Sequence, residues 1–451
     1  MSTGGLWIGA HPDTGTGEEQ FEEIQWDKGT LLAFRLSPEE YADYYLGYSN
    51  SVLWPLCHRR ADLVNMSAAF DESYRAVNAR VAEMIAAVAD PDDIIWVHDY
   101  HFFPLASELR ALGLSNRIGF FLHIPFPELG SLSVLSRPDE FAHWLASYNL
   151  VGLQTRADVA RCLEMYRADP RAEFLIDGSV KFQDRITTVR SFPIGIDVED
   201  FRAQAEEETP NPFGVATPES YVIGVDRLDY SKGIPNRFRA FGRYLENRPA
   251  GTRPCLVQIA PPTREQVQAY KDITSELEEI AGRLNGEFAE LDWVPIRYIH
   301  RGVDRSLLAK LYRRAHVCAV TSIADGMNLV AKEFVAAQDP DDPGVLILSR
   351  FAGAAEDMTE ALLVNPYDVD DIAEAYRRAF AMPLAERQAR HAACMAVVLQ
   401  TDASYWAKQF IDALQDCVPT FDSNKFWAEP ESSSRDHVTK RDKDFASDTA
   451  S

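Results

Sequence analysis

Two loops of this sequence combine cations, carboxylates and glycine in an order typical of sites that bind phosphates and sugar hydroxyls. In the first loop, Arg227 and Lys232 follow an apolar run and precede Pro235, a residue that suits the first turn of a helix. Two cations beside a helix N-terminus can bind a diphosphate, because backbone N–H groups and the helix dipole add to their charge. The alternative for the same pattern is two solvated cations on a surface loop.

The second loop, at 321–333, has carboxylates where hydroxyl groups could be bound. Asp325 and Gly326 form a turn after an apolar run, and the residues that follow are predicted to start a helix. Glu333 lies about two helical turns further along, on a face near that of Asp325. The two carboxylates either bind two sets of hydroxyls, or are an acid that interacts with the helix dipole and an exposed helix residue.

Polar residues also follow predicted strands elsewhere in the chain. His98, Asp99 and His101 follow one strand and His123 follows another. A metal site at the first three has no further ligand cluster to support it, so the pattern favours a polar site at the strand ends. Arg264 is predicted to open a helix after a third strand, where a cation is unfavourable to the helix dipole, so an anionic partner would explain it.

The elements that position these residues are those of an α/β protein. Apolar runs without alternation indicate strands covered on both faces, and they are separated by stretches with helical periodicity. Ligands of such sheets bind beyond the carboxyl ends of the strands. Strands are predicted at 94–97, 117–123, 150–153, 187–189, 221–225, 255–259, 317–320 and 345–348, and helices at 72–87, 263–284 and 304–314. An acidic, proline-containing stretch predicts a domain boundary near 198–218.

Composition excludes several classes of function. The 451 residues include 45 Lys and Arg against 69 Asp and Glu, a net charge of −24, which disfavours nucleic acid and anionic membranes as partners. Neither a membrane span nor a signal peptide is visible, so we predict a cytoplasmic protein. The six cysteines are scattered without a CxxC pair, which argues against zinc and disulfide frameworks and for reduced, mostly buried thiols.

Six segments in this order resemble the trehalose-6-phosphate synthases, a family of retaining glucosyltransferases. They are YYLGYSNSVLWP at 44–55, HDYH at 98–101, HIPFP at 123–127, RLDYSKG at 227–233, DGMNLVAKE at 325–333 and FAGAA at 351–355. The similarity extends from about Gly4 to about Val418. It implies the GT-B fold, in which two Rossmann-like domains face a cleft, here with the first domain lacking its usual N-terminal strand.

The resemblance implies the following domain organisation. An acceptor-binding domain covers 1–200, with helices in 395–417 crossing back to it, and a nucleotide-sugar-binding domain covers 215–394. The remaining segment, 419–451, is polar and has too few apolar residues to pack, so it is predicted to be a disordered tail.

The resemblance also assigns site residues by position. In the donor site, Arg227 and Lys232 bind the diphosphate of UDP-glucose, Glu333 the ribose, and Asp325 the glucose, which His123 faces from the other domain. Further donor contacts are implied at Gly326, Met327, Asn328, Leu329 and Val330. The acceptor, glucose 6-phosphate, is implied to contact Tyr45, Trp54, Asp99 and Arg264. The catalytic set is implied to be Asp99, His123, Arg227, Lys232 and Asp325.

The implied reaction joins UDP-glucose to glucose 6-phosphate, giving α,α-trehalose 6-phosphate and UDP. The leaving UDP oxygen would help to deprotonate the acceptor, and neither a metal nor a cofactor is expected because two cations balance the diphosphate. Expected partners are small-molecule substrates and, as a pathway neighbour, trehalose-6-phosphate phosphatase; a role in stress response and a homo-oligomeric state are also considered.

Two alternatives remain at this level, and a third is disfavoured. The first is a sister transferase with another phosphorylated acceptor, such as glucosylglycerol-phosphate synthase. The second is a weakened, N-terminally truncated paralogue, because the chain starts after the strand and Gly-Gly loop with which the family usually begins. A phosphorylase-like enzyme would need a lysine for pyridoxal phosphate, and none is evident.

Overall fold

The computed structural model describes residues 5–15, 22–26, 29–207, 211 and 213–417. The tail predicted at 419–451 lies outside the described residues. Within the described part of the chain, no helix is both long enough and apolar enough to cross a membrane.

The described strands are, in chain order, β1 (Leu6–Ala10), β2 (Glu22–Trp26), β3 (Gly29–Phe34), β4 (Ile94–His98), β5 (Arg117–Phe121), β6 (Leu150–Leu153), β7 (Ala172–Phe174), β8 (Val180–Phe182), β9 (Arg185–Ser191), β10 (Ser220–Val225), β11 (Pro254–Ile259), β12 (Ile296–Ile299), β13 (Val317–Val320), β14 (Val345–Ser349) and β15 (Leu362–Val364). The eight strands predicted from apolar runs are all present, as β4, β5, β6, β9, β10, β11, β13 and β14.

The described α-helices are α1 (Pro38–Glu40), α2 (Trp54–Cys57), α3 (Ala68–Ala86), α4 (Leu105–Ala111), α5 (Leu129–Leu132), α6 (Pro138–Ala146), α7 (Arg156–Ala168), α8 (Val198–Glu206), α9 (Ile234–Glu246), α10 (Gln268–Phe288), α11 (Arg305–Arg314), α12 (Leu329–Ala337), α13 (Val369–Ala381), α14 (Leu384–Gln400) and α15 (Ala403–Asp416). A π-helix, Tyr41–Leu53, joins α1 to α2. Short 3₁₀ turns lie at Ala61–Leu63, Tyr100–Phe102, Gly214–Ala216, Tyr230–Lys232 and Gly353–Glu356.

The second half of the chain forms a six-stranded parallel sheet in the order β12-β11-β10-β13-β14-β15. All six residues of β11 and all four of β13 are buried, which explains why both sequences are apolar apart from Gln258. Strand order reverses between β10 and β13, which pair directly, as in doubly wound folds. The loops after β10 and β13 therefore lie side by side at the point where such sheets bind ligands.

The first half forms a second six-stranded sheet in the order β4-β5-β6-β9-β8-β7. Strands β4, β5, β6 and β9 are parallel; β8 pairs antiparallel with β9, and β7 pairs antiparallel with β8. Strand β1 pairs with β3 in a separate three-stranded sheet, so within the described residues β4 is an edge strand of its sheet. The two Rossmann-like sheets agree with the predicted fold class, whereas the predicted domain boundaries stay predictions.

The last two helices connect the two sheets. Helix α14 packs on β14 and α12 of the second sheet, and α15 packs on β5 and β6 of the first. The ring of Phe410, on α15, stacks on Trp96 of β4 at 4.5 Å between centroids. Five of the six cysteines are buried and all six are free thiols, as predicted.

Candidate active site

A cavity of about 260 Å³ lies where loops from the carboxyl ends of both sheets meet. Strands β4 and β5 of the first sheet and β10, β11 and β13 of the second each contribute the loop that follows them. The lining residues are Tyr45, Trp54, His58, Asp99, Tyr100, His101, His123, Ile124, Arg227, Lys232, Arg264, Asp325 and Gly326. Nine of these thirteen residues were assigned to a donor or acceptor site from the sequence.

A larger cavity, of about 1030 Å³, contains none of the predicted residues. It is lined by residues that precede β13 and β14, at the amino ends of these strands, whereas parallel sheets bind ligands at the carboxyl ends. Three of the four lysines and arginines that line it, Lys310, Arg313 and Arg387, are each paired with a carboxylate. We therefore place the chemistry in the smaller cavity.

A lysine–carboxylate pair lies at the point where the strand order of the second sheet reverses. Lys232 Nζ is 2.6 Å from Asp325 Oδ2, and both side chains are largely buried. Ser322 Oγ and Asn328 Nδ2 donate to the same oxygen at 3.1 and 3.0 Å. Burial alone would raise the pKa of Asp325, but the Lys232 ammonium outweighs it and lowers that pKa below its ordinary value. Both groups are therefore ionised at neutral pH.

Local sequence explains how these two side chains meet. Gly233 has a φ of +62° and starts α9, and Pro235 lies in the first turn, as predicted. Asn328 has a φ of +76° and caps α12 by accepting a hydrogen bond from Ala331 N at 3.0 Å. Each loop thus leaves its strand through a left-handed residue that directs the polar side chains into the cavity.

Arg227 is the second cation of the first loop, and its guanidinium is exposed. It lies 5.6 Å from the centre of the Trp54 ring, across the cavity. No carboxylate among the described residues forms an ion pair with it. Its charge is therefore available to an anionic ligand, whereas Lys232 is buried and is not a solvated surface cation.

Trp54, at the start of α2, lies at the centre of the cavity wall that faces the Lys232–Asp325 pair. The His58 ring stacks on it at 4.1 Å between centroids, and the Arg264 guanidinium lies 4.0 Å from the ring centre. His58 Nδ1 donates to the Trp54 carbonyl oxygen at 2.7 Å, which leaves Nε2 as the unprotonated nitrogen. Trp54 thus contacts a residue from each half of the chain, His58 from the first and Arg264 from the second.

The π-helix Tyr41–Leu53 brings Tyr45 to the same cavity. Asn50 Nδ2 donates to the Tyr45 carbonyl oxygen at 2.7 Å, five residues back, and Tyr100 Oη donates to Asn50 Oδ1 at 2.8 Å. The Tyr45 ring stacks on His101. π-helical turns are rare and occur frequently at functional sites.

The position of Arg264 differs from the one predicted from the sequence. Helix α10 begins at Gln268, so Arg264 lies in the preceding loop with a φ of +49° and does not open a helix. Its anionic partner within the protein is the fully buried Asp229, at 3.4 Å. The argument from the helix dipole was therefore wrong, and a buried ion pair explains this cation.

The guanidinium of Arg264 keeps part of its hydrogen-bonding capacity for a ligand. Nη1 donates to Tyr270 Oη at 2.6 Å and to Asp229, and Nη2 donates to Tyr100 Oη at 3.0 Å. These bonds use three of five N–H groups. Nε is buried without a partner among the described residues. Two N–H groups beside the cavity are thus left for an anion.

The histidines at the ends of β4 and β5 are not arranged as a set of metal ligands. His98 Nδ1 lies 3.2 Å from His123 Nε2, whereas the His101 ring turns away to stack on Tyr45. Within the described residues, no three His, Cys, Asp or Glu side chains converge as metal ligands would. Burial lowers the pKa of His98 and His101 to about 3 and that of His123 to about 4.

Asp99 follows β4 in a strained backbone conformation, with a φ of +71°. Its Oδ1 accepts from His123 N at 3.3 Å, which ties the loop after β4 to the loop after β5. Burial raises the pKa of the Asp99 carboxyl to about 6, against the backbone hydrogen bonds and the nearby Arg227 and Arg264 charges. Asp99 thus titrates close to neutral pH.

Gly326 lies where the loop after β13 is in close contact with the loop after β5. A Cβ on this residue would overlap the carbonyl oxygen of His123, which belongs to the first sheet. Only glycine allows the loop after β13 to rest on the loop after β5 at this point. The close approach sets the distance between Asp325 and His123.

Five predicted donor residues lie next to the cavity and do not line it. The Met327 side chain is buried in the core of the second sheet, so only its backbone can face a ligand. The Asn328 side chain is used for capping, and Leu329 and Val330 begin α12. Glu333 is half-buried, and burial raises its pKa to about 7.

Sequence reasoning missed four residues of the site: His58, Tyr100, Ile124 and Asp229. The spacing of Trp54 and His58, one helical turn apart, is a signal for stacking within a helix. Asp229 stands between the two predicted cations of its loop, but nothing local indicates that it pairs with Arg264.

The chain is similar to known proteins in both sequence and structure. The family described as Glycosyltransferase family 20 matches residues 2–416. The trehalose-6-phosphate synthase of Sodalis glossinidius is 45% identical over 416 residues, which is 91% of this chain and 89% of that protein. A structure described as trehalose-6-phosphate from E. coli bound with UDP-2-fluoro glucose has a TM-score of 0.89 at 42% identity, covering 92% of this chain and 94% of that one. An α,α-trehalose-phosphate synthase (UDP-forming) from Burkholderia xenovorans in complex with glucose-6-phosphate has a TM-score of 0.88 at 43% identity, with coverages of 92% and 93%.

Proposed function

The chain belongs to glycosyltransferase family 20, and from this we propose that it transfers glucose from UDP-glucose to glucose 6-phosphate, giving α,α-trehalose 6-phosphate and UDP. One observation carries the proposal. A single cavity holds the Lys232–Asp325 pair at the reversal point of the second sheet and, facing it, Trp54 and Arg264. The cavity thus joins a place for a nucleotide sugar to a place for an anionic acceptor.

On the donor side, we assign the diphosphate to Arg227 and Lys232. Arg227 has no carboxylate partner among the described residues, and Lys232 has donors beyond the one used on Asp325. Asp325 accepts all its hydrogen bonds on Oδ2, which leaves Oδ1 for the hydroxyls of the donor glucose. Glu333, on α12, is assigned to the ribose hydroxyls.

On the acceptor side, we assign the phosphate of glucose 6-phosphate to Arg264 and Tyr45. Arg264 offers two unused N–H groups at the cavity, and Trp54 offers an apolar face for the sugar ring. Asp99 is assigned to an acceptor hydroxyl, and His123 to the donor glucose. Neutral His123 can accept or donate a hydrogen bond there without adding charge.

The transfer is proposed to retain the anomeric configuration. The bond between the anomeric carbon and the UDP oxygen breaks, and a bond to the acceptor oxygen forms on the same face. The acceptor proton passes to the departing diphosphate oxygen. Arg227 and Lys232 stabilise the negative charge that builds on that oxygen, which is the kind of electrostatic contribution that usually dominates catalysis.

We further propose that no metal takes part, because the two cations occupy the position where a divalent ion would balance the diphosphate. The expected result is that a chelator such as EDTA leaves the rate within about twofold of its value without chelator. A rate that collapses with EDTA and returns with a divalent salt would contradict this assignment.

The test of the reaction is UDP release from UDP-glucose by the full chain. We expect turnover with glucose 6-phosphate and none with glycerol 3-phosphate, the acceptor of the sister activity. Identifying the product as the non-reducing disaccharide phosphate checks the linkage. Turnover with glycerol 3-phosphate alone, or with neither acceptor, would overturn the proposal.

The raised pKa of Asp99 predicts the acid limb of the pH profile. Only the carboxylate accepts a hydrogen bond from the acceptor hydroxyl, so kcat/KM for glucose 6-phosphate should fall as pH drops through about 6. A phosphate monoester titrates near the same pH. The control is therefore Asp99→Asn, which keeps the titration of the substrate and lacks that of the carboxyl. The ratio of native to variant kcat/KM should fall about tenfold per pH unit below 6; a constant ratio would contradict the role of Asp99.

The product is a phosphate monoester, and we propose that a phosphatase specific for trehalose 6-phosphate consumes it. Self-association, cytoplasmic location and a role in stress response stay predictions.

A further inference from the structure

Lys332, on α12, is a buried lysine that none of the roles above uses. Its side chain is 2% exposed and does not line the cavity. Nζ donates to the Ile194 carbonyl oxygen at 2.6 Å and lies 3.5 Å from Thr401 Oγ1. The neighbouring residue on the same helix is Glu333, which is assigned to the donor.

The two partners of Lys332 lie on the two chain segments that pass between the sheets. The first segment, 192–197, has Phe192 packed on Phe410 at one end and Ile196 in the core of the second sheet at the other. The second, 398–406, starts with Val398 in the second core and ends with Trp406 against the first sheet. We call these two segments the crossing.

The two segments of the crossing touch each other beside Lys332. A Cβ on Gly195 would overlap the carbonyl oxygen of Thr401, so the backbones are in direct contact. Lys332 therefore binds the crossing at the point where its two segments are closest.

A lysine at this buried position is unfavourable for the free energy of folding. A buried ammonium loses hydration, and its two partners are a carbonyl and a hydroxyl, which carry no charge. Burial lowers the pKa of Lys332 to about 8, with Asp357 acting in the opposite direction. An apolar side chain of similar size would avoid this cost. The lysine is therefore better explained by a positional role than by a contribution to stability.

We propose that Lys332 is a positioning residue that couples the donor-binding turn of α12 to the crossing, so that UDP binding at 325–333 is transmitted to the setting of the two sheets. This inference rests on the donor site proposed above. Helix α12 begins at the cap of that site, at Asn328, and reaches the crossing one turn later through Lys332. A ligand that fixes the start of the helix therefore also fixes the position of the Lys332 ammonium.

Amide hydrogen exchange of the full chain, with and without UDP, tests this coupling. In the native protein we expect UDP to slow exchange at 325–333 and also in the crossing, outside the cavity. In Lys332→Met, UDP should still slow exchange at 325–333 but no longer in the crossing. The Kd for UDP should change less than threefold. The kcat should fall at least tenfold, because donor binding no longer fixes the relative position of the two sheets.

The matched control is Lys310→Met, which removes another largely buried lysine of the second half, one that pairs with Glu207. It should behave as the native protein does. Protection of the crossing that persists in Lys332→Met, or is lost equally in Lys310→Met, would overturn the coupling. No protection at 325–333 in the native protein would instead overturn the donor site itself.

A second variant keeps the test valid if Lys332→Met does not fold. Gly195→Ala keeps the lysine itself and the residues of the donor site, but its Cβ forces apart the two segments that Lys332 binds. We expect it to lose protection of the crossing by UDP and to keep protection at 325–333. Retained protection in both regions would overturn the proposal.

Discussion

Replacing Lys232 with alanine is expected to cost the protein both activity and stability. In the proposed mechanism the ammonium stabilises charge on the leaving diphosphate, and removing one such group typically lowers kcat about 10²–10³-fold. The same change leaves the Asp325 carboxylate buried without its cation, which costs about 3–5 kcal/mol of the free energy of unfolding. KM for UDP-glucose should rise as well, because the ground-state diphosphate binds the same group. Steady-state kinetics and urea unfolding measure the two effects.

The control for this experiment is Lys310→Ala. Lys310 also forms a lysine–carboxylate pair in the second half of the chain, but its partner Glu207 is 64% exposed and neither residue lines the active cavity. Its kinetics should remain native and its stability should change by less than about 1 kcal/mol. If Lys232→Ala keeps native kcat and KM, Lys232 does not contact the donor.

Arg264→Ala is expected to separate the two substrates. A hydrogen bond to a charged group contributes about 1.5–3 kcal/mol, so KM for glucose 6-phosphate should rise about 10- to 150-fold. The affinity for UDP should stay within about threefold, because Arg264 is assigned to the acceptor and not to the donor. Measuring KM for both substrates and the Kd for UDP checks the difference.

This variant also leaves the buried Asp229 without its cation, so a structural effect has to be distinguished. Tyr270→Phe removes the hydroxyl that bonds to both Arg264 and Asp229 but keeps the guanidinium. It should disturb the network and have a much smaller effect on KM for glucose 6-phosphate. Equal losses for the two substrates in Arg264→Ala would argue against an acceptor role.

The strands could be predicted from the sequence because both sheets are covered on both faces. Strand β13 is buried at every position, so its sequence is apolar without interruption. The hairpin of β7 and β8 has only three residues in each strand, too few for a pattern to stand out. The π-helix could not be predicted either, since the Asn50–Tyr100 hydrogen bond that supports it joins residues 50 positions apart.

Site residues could be predicted only where a single loop contains the cation or carboxylate that indicates binding. Lys232 and Asp325 stand in loops after apolar runs, and the strand order brings these loops together. Arg264 was singled out for the wrong reason, because its partner Asp229 is close only in three dimensions. Lys332 could not be identified, since a lysine on a helix is ordinarily assigned to solvent and its acceptor, Ile194, is 138 residues away.

The titration of the histidines and carboxylates in and beside the cavity has a consequence for inhibition by the product. His58, His98, His101 and His123 all have pKa values of about 3–4, so the imidazoles stay uncharged from pH 8 down to pH 5. Acidification instead neutralises two carboxylates, Glu333 near pH 7 and Asp99 near pH 6. The cleft then becomes more positive while Arg227 and Lys232 keep their charges. Between about pH 7 and pH 6, where its terminal phosphate keeps most of its charge, UDP should be held there longer as the pH falls, so that release of the spent nucleotide limits turnover.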